Sequence, residues 1–375
     1  MKWPGRWCFV AAMAILLIGG ICWISQDKPA LPKAAQAPAV RKRPTLLDSL
    51  KEQEPGDAAA RRKILTDWEN LMKWLDSHPP PTPEEIQARL LATRVAWAGM
   101  DPQLLAEMLK KLLASGDDMA TGLGFKVGPH GFLNGWPTLR IFLLDVLAAS
   151  DHEMAAAIAK DVLDKTPSPD EFAIALRSLT REGMGHASHA ELLSRFEQML
   201  GRPEWGNSAG FAEALDLART IGSPEAVKLL ATWNGNPSLK SMAMDEFAAE
   251  HPAQMLEILA DEQDLGGLVR ANLMARADPT DPKQLAAVDA YLRSPARLPE
   301  EATAFLQSFP LRSATTGYRL YGKTPAPYNH DQIVAGDRAA LERVNQWVND
   351  PALEMYRADL LPLQQRLATW TEQSR

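Results

Sequence analysis

The sequence predicts an all-α protein: an α-solenoid of stacked helical hairpins behind a single N-terminal transmembrane helix. Three observations predict it. Apolar residues recur at helical spacing along most of the chain, and no stretch shows the sustained alternation of a strand. A capping residue followed by proline opens one helix after another. Finally, the run from Trp7 to Ile24, WCFVAAMAILLIGGICWI, carries no charge across 18 positions. At 1.5 Å per residue it reaches roughly 27 Å, about one hydrocarbon core.

Composition bounds the alternatives. Of 375 residues, 46% are hydrophobic and 23% charged, which excludes a wholly disordered chain, a collagen and a polytopic membrane protein. The only cysteines, Cys8 and Cys22, both lie in the apolar run, so a disulfide scaffold and a cysteine-based zinc module are excluded. The formal net charge is −7. Residues 1–50 hold seven basic and two acidic side chains, a net of +5, which leaves −12 for residues 51–375. An acidic body repels a phosphate backbone, so no nucleic-acid partner is expected.

Residues 1–25 read as a signal anchor. Lys2 and Arg6 precede the apolar run, and Trp7 and Trp23 suit the two interfaces. No small-x-small pair follows the run directly; Ala35-Gln36-Ala37 lies about ten residues too far on. Ile21, before Cys22, is not the small residue a lipoprotein site requires. An uncleaved anchor through residues 7–24 is therefore preferred to a removed signal peptide, which would leave a secreted body. The signal-like N-terminus favours an extracytoplasmic body, periplasmic or extracellular. Residues 26–56 form a linker. Its stretch QDKPALPKAAQAPAVRKR is Pro/Ala/Lys-rich and extends about 3 Å per residue as a tether, with Arg41-Lys42-Arg43 a solvated charge run.

The helical repeat domain is assigned to residues 57–309, a long loop to 310–330 and a C-terminal helical pair to 331–375. Helices are expected at about 45–53, 57–77, 83–98, 102–115, 137–149, 152–164, 169–182, 187–200, 208–221, 224–233, 238–249, 252–261, 265–276, 282–293, 299–308, 331–348 and 351–373. Ile64, Trp68, Leu71, Met72 and Leu75 set the spacing in the first of these within the domain. Leu104, Leu105, Met108, Leu109 and Leu112 set it near residue 105. Thr82, Asp101, Ser168, Ser223, His251, Asp281 and Asp350 each precede a proline at a helix start. A side-chain oxygen there accepts an orphan backbone N–H, and proline at the first helical position gives up only an N–H that had no partner. The intervals Ser223 to His251 and His251 to Asp281 are 28 and 30 residues, room for two short helices each.

The stretch SPEAVKLLATWNGNPSLKSMAMDEFAAEHPAQMLEIL, Ser223 to Leu259, resembles HEAT-like α-hairpin repeats. The resemblance is compositional and covers about half of the body. It implies hairpins that bury their apolar faces only by stacking. Tetratricopeptide repeats fit worse, because their Trp, Leu-Gly and Tyr positions are not met. A compact helical bundle is the rival fold.

Two segments break the helical rhythm. Residues 116–136 carry glycines at 116, 122, 124, 128, 131 and 135, and residues 310–330 carry Tyr318, Tyr321, Tyr328 and His330 among prolines. Long loops in a compact domain often carry function. His130, Trp136, Tyr318 and Tyr321 are the candidate partner- or ligand-binding residues, with Trp136 the tryptophan expected to be exposed. The other body tryptophans, at 68, 74, 97, 205, 233, 347 and 370, are expected mostly in the core.

Other motifs read as structural. Gly317 to Thr324 matches the phosphate-loop pattern letter for letter. No buried strand precedes it, and Pro325 and Pro327 prevent the helix it needs, so no nucleotide is expected. His186 and His189 stand three apart at a helix start without a nominable third ligand, so no metal is expected. No hydrolase signature and no body cysteine nucleophile is present, and no cofactor or catalytic residue is nominated. The expected function is a scaffold for a protein partner. A cell-envelope hydrolase with its site near the 116–136 and 310–330 loops is the alternative, and a purely structural spacer the third possibility.

Overall fold

The computed structural model describes residues 57–180, 186–261, 266–311, 318–322 and 329–373. The expected anchor at 7–24, the linker and the helix at 45–53 lie outside the described residues, as do Tyr328 and, of the phosphate-loop match, Gly317, Lys323 and Thr324. Among the described residues no helix is long and apolar enough to cross a membrane.

The described chain is mostly helical, with one short hairpin. In order the helices are α1 (Ala58–Leu75), α2 (Pro83–Ala98), α3 (Pro102–Ser115), α4 (Leu139–Ser150), α5 (His152–Lys165), α6 (Pro169–Thr180), α7 (His189–Leu200), α8 (Ala209–Ala214) and α9 (Leu217–Ile221). They continue as α10 (Pro224–Thr232), α11 (Pro237–Glu250), α12 (Pro252–Asp261), α13 (Gly267–Met274), α14 (Pro282–Arg293), α15 (Pro299–Ser308), α16 (His330–Val348) and α17 (Arg357–Gln373).

The caps that precede proline work as the residue types dictate. Thr82 accepts from the Glu85 N–H, Asp101 from Leu104, Ser168 from Glu171 and Ser223 from Ala226. Asp281 accepts from Lys283 and Gln284, and Asp350 from Ala352. His251 departs from this pattern. Its Nε2 lies 2.8 Å from the Arg219 carbonyl oxygen and its ring packs on Phe247, so it ties α11 to α9 instead of capping α12.

Most helices pack against a neighbour one or two places along the chain. Thus α9, α11, α13, α15 and α17 touch in sequence, as do α10, α12 and α14, and neighbours such as α10 and α11 join the two ranks. Charge pairing follows the same order. Among the described residues six ion pairs each span 31 residues: Arg140–Glu171, Lys160–Glu191, Asp164–Arg195, Arg219–Glu250, Asp245–Arg276 and Arg270–Glu301. Each joins a helix to the one two further along, or to the turn just beyond it. The core reaches its deepest in α4, where Leu139 and the whole run from Ile141 to Ala148 are buried, Asp145 included.

The structure corrects several expectations. Residues 208–221 form two helices, because the backbone tightens at Leu215–Asp216 with i→i+3 bonds such as Asp216 N–H to Glu213 C=O. The last expected helix, 351–373, starts as a 3₁₀ turn (Pro351–Tyr356) before α17. The glycine-rich segment holds a small antiparallel hairpin, β1 (Lys126–Val127) with β2 (Leu133–Gly135). Of the tryptophans expected mostly in the core, Trp68, Trp97, Trp205, Trp233 and Trp347 are buried, and Trp370 is the exposed exception at 36%. Trp74 is only half-buried, under the Arg89 guanidinium. Trp136, expected to be exposed, is fully buried.

Candidate functional site

The site is built where the two long loops meet. β1 and β2 project a turn, Pro129–Gly131, in which His130 adopts φ +57° and Gly131 φ +74°. Left-handed backbone is uncommon for a non-glycine residue, though histidine tolerates it better than most. Gly131 needs its missing side chain: a Cβ there would stand 2.8 Å from the Leu320 carbonyl oxygen and 3.1 Å from that of Arg319. The main chain of one loop thus lies directly on the other.

A buried charge cluster fixes the first loop from below. Asp145 is fully buried in α4. It accepts the Trp136 indole N–H at 2.9 Å and the Leu133 N–H at 3.2 Å, and it pairs with Arg177 of α6 at 2.5 Å. Arg177 also donates to the Gly131 carbonyl at 2.8 Å. Arg94 of α2 donates to the Leu133 carbonyl at 3.1 Å and stands 3.6 Å from Asp145. These partners explain why Trp136 is inside: its ring meets Phe142 edge-on at 5.3 Å, and its one polar atom has a buried carboxylate to bond.

A second cluster holds the other loop. Tyr321 is fully buried and its hydroxyl donates to the Ala173 carbonyl of α6 at 3.0 Å. Burial, with Asp216 nearby, pushes its phenol well above the usual range. Arg219 of α9 grips Asp216 through two bonds of 2.5 and 2.8 Å, pairs with Glu250 at 2.6 Å and donates to the Tyr321 carbonyl at 2.8 Å. Arg319 bonds Asp216 at 3.0 Å and also Glu246. Desolvation raises the Glu246 carboxyl above its usual value, and the Arg319 charge only partly offsets it. For Arg219 desolvation is outweighed by Asp216 and Glu250, so its guanidinium is held more firmly protonated.

The four expected residues therefore divide in two. Trp136 and Tyr321 are buried and anchor the loops. His130 and Tyr318 are exposed, Tyr318 to 52%, and each is the chain neighbour of a residue in the Gly131–Arg319 contact. The junction thus presents an imidazole and a phenol on a rigid base. Its carboxylates are each committed to a guanidinium, an arrangement suited to positioning.

Sequence reading missed Asp145, Arg177, Asp216, Arg219 and Arg319. The available signal was a single charge inside an apolar helical run, as Asp145 in IFLLDVLAA and Arg177 in FAIALRSL. No group of three or more His, Cys, Asp or Glu among the described residues could hold a metal ion. The His186 imidazole lies 3.9 Å from Glu153, whereas His189 is exposed at the start of α7. No family model matches the chain, and no curated protein or solved structure is significantly similar to it.

Proposed function

We propose that this protein is a scaffold for a protein partner, built as an α-solenoid of HEAT-like hairpins. Residues 7–24 hold it in the membrane, with the body outside the cytoplasm. The observation that carries the reading is the 31-residue register of the ion pairs. A charge contact that recurs between helices two apart, at α4–α6, α5–α7, α9–α11, α11–α13 and α13–α15, is what a stack of similar hairpins would produce. Repeat stacks expose extended surfaces, and the contact surface on this one is the loop junction bearing His130 and Tyr318.

Site-specific photocrosslinking tests it. A photoreactive phenylalanine at position 318 of the full-length chain is expected to yield a discrete protein adduct in the native membrane. The same probe at Met242, 45% exposed on α11, is expected to yield none. Equal labelling from both positions, or none from 318, overturns the reading. Protease shaving of intact cells tests the orientation: the body should be degraded while the cytoplasm stays sealed.

A second reading, a hydrolase of a cell-envelope polymer, is favoured by one observation: the raised carboxyl of Glu246 lies beside the loop junction. It requires loss of envelope-polymer cleavage in Glu246→Gln. Retained cleavage, or none in the native protein, removes it.

A further inference from the structure

Arg276 follows α13 in the turn that leads to α14. Its Nε donates to Asp245 at 3.0 Å, and only 6% of its side chain is exposed. Its Nη1 is buried and donates to nothing. A buried guanidinium hydrogen without an acceptor is rare and unfavourable in a folded protein. The same arginine lines a groove of about 310 Å³ between the α13–α14 turn, the start of α12 and the start of α16. The unmet donor and the groove together point to an acceptor arriving from outside.

The surroundings select its chemistry. Asp245 already matches the Arg276 charge, and the exposed Asp278 adds a second carboxylate at the rim. An anion is therefore disfavoured, and a neutral oxygen suits Nη1 better. Pro252, Pro279 and Leu311 form apolar walls. The two prolines have no N–H of their own, so they suit an extended backbone laid against them. Asp278 suits a cation beside that backbone, and residues 51–375 as a whole carry −12.

We propose that this groove is a peptide-binding pocket. Arg276 Nη1 donates to a main-chain carbonyl of the partner, and a lysine or arginine of the same segment lies against Asp278. The choice of a peptide rests on the protein-binding reading above; the unmet donor does not.

The probe is N-acetyl-lysine N-methylamide, followed by saturation-transfer NMR on the full chain in detergent. Binding in the millimolar range is expected for so small a ligand. The glutamate analogue should bind about fivefold more weakly, and inorganic phosphate should not compete. Ala335→Trp fills the groove from an exposed position on α16 and should abolish the signal. Arg276→Lys keeps a cation for Asp245 but loses Nη1, and should weaken binding about fivefold at an unchanged melting temperature. No signal with the native chain, signal undiminished in Ala335→Trp, or displacement by phosphate overturns the proposal. Failure here with Tyr318 adducts intact removes the pocket alone. Loss of those adducts with the probe still bound removes the loop-junction surface alone.

Discussion

Gly131 and Leu320 touch through their main chains, with only the absence of a side chain at Gly131 leaving room for the Leu320 carbonyl oxygen. The contact joins two segments distant in sequence. It sits between the cluster around Asp145 and the cluster around Asp216, and Arg177 reaches from the first cluster to the Gly131 carbonyl. The junction therefore behaves as one mechanical unit.

Gly131→Ala should separate this contact. A left-handed alanine alone costs about 1 kcal/mol. Here the new methyl also meets backbone oxygen at 2.8 Å, which cannot rotate aside. Gly122 is the control: its φ is +75°, but a Cβ there meets nothing within 4 Å. Urea unfolding should show about 1 kcal/mol lost in Gly122→Ala and at least ~2 kcal/mol in Gly131→Ala. Equal losses would mean that the loop contact contributes nothing.

Asp145→Asn keeps the shape of the side chain and removes its charge. Arg177 and, at longer range, Arg94 then face a neutral amide in a buried site. Breaking a buried pair in this way costs about 3–5 kcal/mol. The indole of Trp136 loses its charged acceptor, so its emission should change in the native baseline as well as in the unfolding midpoint. A loss below ~1 kcal/mol would show that water reaches the cluster.

The helical class was legible because helix starts announce themselves locally: a Ser, Thr or Asp oxygen, then proline, then apolar spacing. The repeat was half legible. Spacings of 28 and 30 between proline-marked starts foreshadow the 31-residue rungs, but nothing local says which Arg meets which Glu. The division of 208–221 was hidden because Asp216 answers to Arg219 and to Arg319, the latter distant in sequence. Trp136 misled for the same reason. It sits in a loop by sequence, and its burial depends on Asp145 and Phe142 of the following helix. His130 and Tyr318 were legible as exposed loop residues, and their shared junction was not.

The rungs of the ion-pair ladder should contribute unequally. Lys160 and Glu191 have side chains 48% and 29% exposed and stand 3.7 Å apart, so water screens them. A double-mutant cycle should give about 0.5 kcal/mol or less, vanishing in high salt. Arg270 and Glu301 are 17% and 1% exposed at 2.8 Å, and their coupling should exceed ~1.5 kcal/mol and resist salt. Equal couplings would mean that the register is a by-product of packing and not a contributor to it.

Glu301 and Glu246 should give opposite pH dependences. Burial pushes Glu301 up, but bonds from Arg270 and the Tyr291 hydroxyl and the charge of Arg297 override it, so its carboxyl sits below the usual 4.5. The stability it contributes is complete above about pH 4.5 and is lost as the pH falls through its lower native value. The gap between the native chain and Glu301→Gln, about 3 kcal/mol at pH 7, should therefore close on acidification. Glu246 is raised above 4.5 by burial. Its native state holds the proton more tightly than the unfolded chain does, so its contribution is complete below pH 4.5 and is lost as the pH rises through the native value. Relative to Glu246→Gln, the native chain should thus be more stable at pH 4 than at pH 7. Unfolding midpoints of the three proteins across pH 3–8 supply the check. If both differences shrink together on acidification, Glu246 is held ionised by Arg319 as firmly as Glu301 is by its own arginines, and the junction carries no strained carboxyl.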